Sequence, residues 1–130
     1  IIHDWKRPWR ITGNSSVYRF KLGAFPGLLP YFRENFDKIR QKFRNEQAYL
    51  SWYVDKEGKQ TYWPESWCKS YKYHCLQKIP MAYFKPPVKP EGAKIIVFHG
   101  EINPPDAVNG GGGKWYRYVL PSQWIKDAWQ

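Results

Sequence analysis

Cysteine is scarce: Cys68 and Cys75 are the only two in 130 residues. Two thiols cannot build a disulfide framework, and their rarity points to a reducing compartment. No apolar run approaches the ~20 residues of a membrane-spanning helix. Residues 1–10 lack the basic-then-apolar layout of a signal peptide. They also lack an initiator Met, the pattern of an excised or processed chain. Internal repeats are missing, as is any Pro-, Gly- or Ser-rich linker able to split the chain. The one low-complexity stretch, Gly110 to Gly113, reads as a loop. Acidic residues are few, 11 Asp and Glu against 21 Lys and Arg, leaving a formal net charge of +10. That balance points to an anionic partner: nucleic acid, a phosphorylated ligand or acidic lipid headgroups.

What is abundant is apolar and aromatic. Hydrophobic residues make up 42% and aromatics 19%, enough for a core, so disorder is the wrong class. The length suits a single domain over residues 1–130. Ile11 to Phe20 reads as a short strand or extended segment, after which Gly23, Pro26, Gly27 and Pro30 break the chain. From Leu28 the period becomes helical. Phe32, Phe36, Ile39 and Phe43 recur on one face, with Arg33, Lys38, Arg40 and Lys42 on others. Asn45 interrupts before a second helical stretch through Gln47, Tyr49 and Leu50. Glu57-Gly58-Lys59 reads as a turn between extended segments, and Gln60 to Trp63 as the second of them.

Cys68 to Tyr73 reads as another strand, and Pro80 to Pro90 as a surface excursion. Lys94-Ile95-Ile96-Val97-Phe98 is the clearest strand; its successive large apolar side chains predict burial on both faces. Pro121-Ser122 reads as a helix start with Ser122 as cap, followed by Trp124, Ile125, Ala128 and Trp129 on one face. The expected class is mixed α/β (α+β): a small mixed sheet with flanking helices.

His99 leaves the end of that clear strand and Gly100 follows it. In open α/β sheets ligands gather beyond the carboxyl ends of strands. An imidazole there can ligate a metal, and a glycine lets backbone N–H approach a phosphate. Three further motifs precede it in order: Asn14-Ser15-Ser16-Val17, Glu46-Gln47 and Trp63-Pro64-Glu65-Ser66-Trp67. The last motif runs Phe98-His99-Gly100-Glu101-Ile102-Asn103-Pro104. In this order and spacing the set resembles the C-terminal half of a bacterial, metal-dependent glycosyltransferase of the GT-A type, over residues 14 to 106. The shared elements are an N-S-S strand, a D-Q pair on a helix and an F-H-G-x-x-K-P element.

The resemblance implies transfer of a sugar from a nucleotide-sugar to a glycan or lipid-linked acceptor, in polysaccharide or lipopolysaccharide assembly. It casts Glu46 and Gln47 as the catalytic pair beside the transferred sugar. It casts Asn14, Ser15, Gly100 and Asn103 as nucleotide-sugar contacts and His99 as a metal ligand. The implied cofactor is a divalent cation, Mn2+ or Mg2+, held only when the full catalytic domain is assembled. Family members have Asp where this chain has Glu46 and Lys where it has Asn103. The family's Asp-x-Asp belongs to the nucleotide-binding N-terminal half, and here Asp4, Asp37, Asp55, Asp106 and Asp127 are all isolated. The chain is therefore expected to be a partial, acceptor-side domain, inactive by itself and completed by such a half. The expected setting is cytoplasmic, peripheral at an anionic inner-membrane surface. The pattern assigns no oligomeric state.

Two rival readings stand beside this one. Lys69 to His74 alternates basic and aromatic residues, which on a strand would give a solvated face or stack on bases, as in a small basic nucleic-acid-binding module. No RNA-recognition, helix-turn-helix or zinc-finger spacing accompanies it, so nucleic acid ranks behind the sugar reading. The other rival is a non-catalytic remnant of a transferase. Cys68, His74 and Cys75 lack the spacing of a zinc site and read as structural residues. Trp63, Trp67 and Trp115 read as core or rim.

Overall fold

The computed structural model describes residues 1–112 and 114–128, and the chain divides into two units, Ile1–Glu65 and Ser66–Gln130. The division falls inside the Trp63 to Trp67 motif. Gly113 of the expected glycine loop and Trp129 of the expected helix face lie outside the described residues.

In the first unit, β1 (Ile2–His3) pairs antiparallel with β2 (Gly13–Asn14), Ile2 facing Asn14 and His3 facing Gly13. The strand expected to reach Phe20 stops at Asn14, whose Oδ1 accepts from Ser16 N at 2.8 Å. This local side-chain bond bends the backbone into a turn and competes with the ladder. Tyr18 and Phe20 are left exposed.

The helical period is realised in two pieces, α1 (Leu28–Glu34) and α2 (Phe36–Lys42). Asn35 separates them, with both its backbone N and its Nδ2 donating to Tyr31 O at 3.1 and 3.0 Å. Ile39 is buried and Phe32 and Phe43 are half-buried, whereas the break turns Phe36 outward. α3 (Glu46–Lys56) begins at Asn45, whose Oδ1 accepts from Ala48 N at 3.1 Å, a side-chain N-cap.

The Glu57-Gly58 turn closes this helix rather than joining two extended segments. Gly58 adopts φ +64°, Gly58 N donates to Asp55 O and Lys59 N to Val54 O. That double bond pattern around a left-handed glycine is a Schellman C-cap. Ile39, Tyr49 and Tyr53 form the buried centre, ringed by Phe25, Tyr31, Phe32, Phe43 and Trp52. Much of the aromatic content is spent here. Tyr49 keeps its hydroxyl satisfied by donating to Leu28 O at 2.9 Å, and burial raises its pKa. Lys42 and Lys56 lie 4.5 and 5.6 Å over the Trp52 ring, a cation–π arrangement.

In the second unit, β3 (Cys68–Ser70) pairs parallel with β4 (Ile95–Val97), with Cys68, Lys69 and Ser70 facing Ile95, Ile96 and Val97. The strand expected to reach Tyr73 ends at Ser70, and Tyr71–Cys75 winds into one π-helical turn. The alternation of Lys69 to His74 is thereby lost: Tyr71 is buried and Lys72 and Tyr73 are exposed.

β4 is not covered on both faces as expected. Val97 is buried, Ile96 is half-buried and Ile95 is 39% exposed. Ile95 and Val97 share a face by the two-residue period, so the difference is depth along the strand, which starts in solvent and runs inward. The described strands form two two-stranded sheets, one antiparallel and one parallel, rather than one mixed sheet.

α4 (Pro104–Asn109) and α5 (Gln123–Ala128) complete the second unit. Tyr71, Cys75, Ala107 and Ile125 form its buried core, packed by Ile96, Phe98, Ile102 and Trp124 among others. Pro80 to Pro90 is mostly exposed, but Ala82 and Pro87 are buried. Ser122 precedes α5 as expected without acting as a side-chain cap. Its carbonyl accepts from Ile125 N and Lys126 N, while its Oγ is buried with no hydrogen-bond partner of good geometry. Ala128, expected on the apolar face, is exposed. The chain is thus mixed α/β, and no described helix is long and apolar enough to cross a membrane.

Candidate functional site

In the first unit the site grows from Gly13. Its N–H donates to the buried Ser51 Oγ at 2.9 Å, tying β2 to α3. A Cβ at Gly13 would lie 2.9 Å from Ile2 O and 2.8 Å from Ile1 Cδ1, so only glycine allows this approach of the two strands. The Asn14 turn then aims Ser15 at the start of α3, and Ser15 Oγ donates to Glu46 Oε1 at 3.0 Å. Glu46 is the first residue of α3, where the helix dipole favours a carboxylate. Gln47 follows, half-buried, while Glu46 is exposed. Two motifs separated by 31 residues therefore meet at one corner.

In the second unit, His99 lies just beyond the carboxyl end of β4 and bonds Ser70, which ends β3. His99 Nε2 and Ser70 Oγ are 2.6 Å apart. Ser70 is fully buried, so it acts on the imidazole rather than on a ligand. Its backbone N donates to His74 Nδ1 at 3.0 Å, and the Tyr73 ring lies 5.4 Å from that of His99. Both histidines thus gather on the serine at the carboxyl ends of a parallel strand pair. Gly100 adopts φ +96° with open space where a Cβ would sit, so backbone conformation rather than crowding calls for glycine. Asn103 is exposed and is the N-cap of α4, its backbone N donating to Asp106 Oδ2 at 2.9 Å. Beside them Arg117 pairs with Glu101.

Asn14, Ser15, Glu46 and Gln47 belong to the first unit and His99, Gly100 and Asn103 to the second. Ser51 and Ser70 escaped the sequence reading. Each is a small hydroxyl residue acting on a partner 38 or 29 positions away, and no local pattern marks such a residue. Trp67 is 38% and Trp115 71% exposed, so both are rim rather than core.

The cysteines sit in the environment of structural thiols. Both are buried, and burial raises both thiols, Cys75 to about 11. Burial and a raised pKa both lower the fraction of reactive thiolate. Among the described residues no three His, Cys, Asp or Glu side chains come together to hold a metal ion. His99 is a single donor, and a hard cation needs several oxygen ligands, so these residues do not fit a divalent cation by themselves.

No protein-family model matches this chain, and no curated protein or solved structure does either.

Proposed function

We propose that this chain is the acceptor-side, C-terminal portion of a GT-A-type glycosyltransferase, moving a sugar from a nucleotide-sugar to a glycan or lipid-linked acceptor. The observation that carries the reading is the Ser15–Glu46 hydrogen bond, 3.0 Å long. It joins the Asn14-Ser15 strand end to the Glu46-Gln47 helix start, the two motifs that the resemblance assigns to the sugar pocket. In transfer, the bond between the anomeric carbon and the diphosphate oxygen breaks and its electron pair leaves with the nucleotide. The acceptor hydroxyl oxygen forms the new bond and its proton is released to water.

Positive charge builds on the anomeric centre as the bond breaks. A carboxylate stabilises that charge when it is held in place beforehand. Ser15 does this holding, and the adjacent Gln47 amide orients the acceptor hydroxyl. The metal donor set is incomplete, so these roles belong to the chain's own side chains, and a nucleotide-binding half carrying Asp-x-Asp would complete the enzyme.

The test joins the full chain to such a half and follows transfer from a panel of radiolabelled nucleotide-sugars with manganese present. Transfer is expected with the native sequence, and Glu46→Gln should slow it by about a hundredfold or more, the usual scale for a positioned catalytic carboxylate. Transfer at the native rate in Glu46→Gln would remove the carboxylate from the reaction. No transfer with any donor would overturn the reading.

A further inference from the structure

The first unit carries a groove of about 870 Å³ floored by Leu28 of α1 and by Leu50 and Val54 of α3. Its charged lining has one sign: Arg19, Lys21 and Lys59, with no carboxylate among the described residues that line it. Lys59 Nζ donates to Ala24 O at 3.4 Å and sits 5.4 Å over the Phe25 ring, which keeps the ammonium at the rim. Arg19 and Lys21 alternate with Tyr18 and Phe20, each 56% exposed, and the two rings stack with centroids 5.9 Å apart. An exposed apolar surface of this kind, rimmed by charge, marks a binding site.

The lining discriminates between ligand classes. A free phosphate would be held by the cations and would leave the aliphatic floor in water. A neutral hydrocarbon would fill the floor and gain nothing from a rim of one charge. Only an amphiphile carrying both features meets both. We propose that this groove binds a phosphate-headed lipid, its hydrocarbon tail along Leu28, Leu50 and Val54 and its phosphate among Arg19, Lys21 and Lys59. Ser15, whose hydroxyl bonds Glu46, lines the same groove. On the transferase reading, the acceptor is therefore lipid-linked and bound in the groove that Ser15 also lines; that identification rests on the reading, whereas the binding does not.

The experiment is isothermal titration calorimetry of the full chain with dodecyl phosphate below its micelle concentration. Inorganic phosphate and dodecyl maltoside serve as probes of head and tail alone. Dodecyl phosphate is expected to saturate a single site at least about tenfold more tightly than either, one tenfold step being the scale of a single good interaction. Arg19→Glu with Lys21→Glu, both on exposed side chains, should weaken it at least about tenfold. Leu29→Gln, at a lining position 60% exposed, should weaken it while leaving the cations in place.

Three results would overturn the site. These are equal affinity for dodecyl maltoside, equal affinity for inorganic phosphate, and unchanged affinity in the charge-reversed variant. An acidic peptide, polyglutamate, that displaces dodecyl phosphate stoichiometrically would reassign the groove to a protein partner and overturn it as well. Lost lipid binding with sugar transfer intact tells against the groove alone. Lost transfer with lipid binding intact tells against the transferase reading alone.

Discussion

Ser51 and Tyr71 show how differently two buried hydroxyls act. Ser51 Oγ is the acceptor for Gly13 N, and removing it strands a buried N–H on β2, just before the turn that carries Ser15. Ser51→Ala should therefore cost about 1–3 kcal/mol, the desolvation penalty of an orphaned group, read as a lower urea midpoint. An unchanged midpoint would mean that water reaches Gly13. Tyr71 is the opposite case. Neither its hydroxyl nor Ser122 Oγ has a hydrogen-bond partner of good geometry. Burial pushes the Tyr71 pKa up to about 12.

Tyr71→Phe deletes an unsatisfied oxygen while keeping the ring that stacks on Phe98 at 4.5 Å, so stability should stay level or rise. The same core sets an alkaline limit. Burial lifts Cys75 from its ordinary 9.0 to about 11, so the folded chain keeps its thiol proton after the unfolded chain has lost it. The stability tied to that proton is whole below about pH 9 and is lost as pH rises toward about 11. The urea midpoint should fall over that window and fall less in Cys75→Ala. An equal fall in both would clear the thiol.

At the scale of elements, α3 is held at both ends, and both ends can be tested. Asn45→Ala removes the acceptor for Ala48 N and should cost about 1 kcal/mol. Gly58→Ala forces a side chain into φ +64° and should cost about 1 kcal/mol, although a Cβ there would meet no neighbour. Melting of both variants against the native chain checks the pair; no loss in Gly58→Ala would mean that the left-handed cap relaxes without penalty. Neither cap is legible as one in the sequence, where Asn45 reads as an interruption and Gly58 as a turn between extended segments, but the helices themselves are. The Phe32 to Phe43 period and the stretch through Gln47, Tyr49 and Leu50 announce helices because a helix is written in neighbouring residues.

The strands were read less well for the complementary reason. The segment 11–20 looks extended, but the Asn14 side-chain bond to Ser16 ends the pairing. Cys68 to Tyr73 alternates like a strand, but packing buries Tyr71 and winds the chain into a π turn. The parallel partner of β3 lies 27 residues away in sequence at Cys68 and Ile95, and pairing at such distance leaves no local mark. The candidate site divides the same way. Asn14, Ser15, Glu46, Gln47 and His99 are singled out in the sequence through motifs that resemble a family's. Ser51 and Ser70, which hold Gly13 and His99, are not.

For the whole molecule the governing quantity is the charge of +10 and how it is shared. The first unit has twelve Lys and Arg against seven Asp and Glu, and the second has nine against four. Each carries the same excess of five, so the positive charge is not a tail or a block confined to one unit. Nucleic-acid modules concentrate basic residues along one face or helix to track a phosphate backbone. A net charge of this size gives general attraction to polyanions, an effect that counterion release weakens steeply with salt. Duplex DNA should therefore bind weakly, without sequence preference, and log affinity should fall linearly with log salt. Dodecyl phosphate, held in part by its tail, should lose far less over the same titration because hydrophobic burial is not screened. A fluorescence-anisotropy salt series with both probes decides it. Tight DNA binding that survives raised salt and discriminates between sequences would put the nucleic-acid reading ahead of the sugar reading, and a dodecyl phosphate affinity as salt-sensitive as that of DNA would reduce the groove to its three cations.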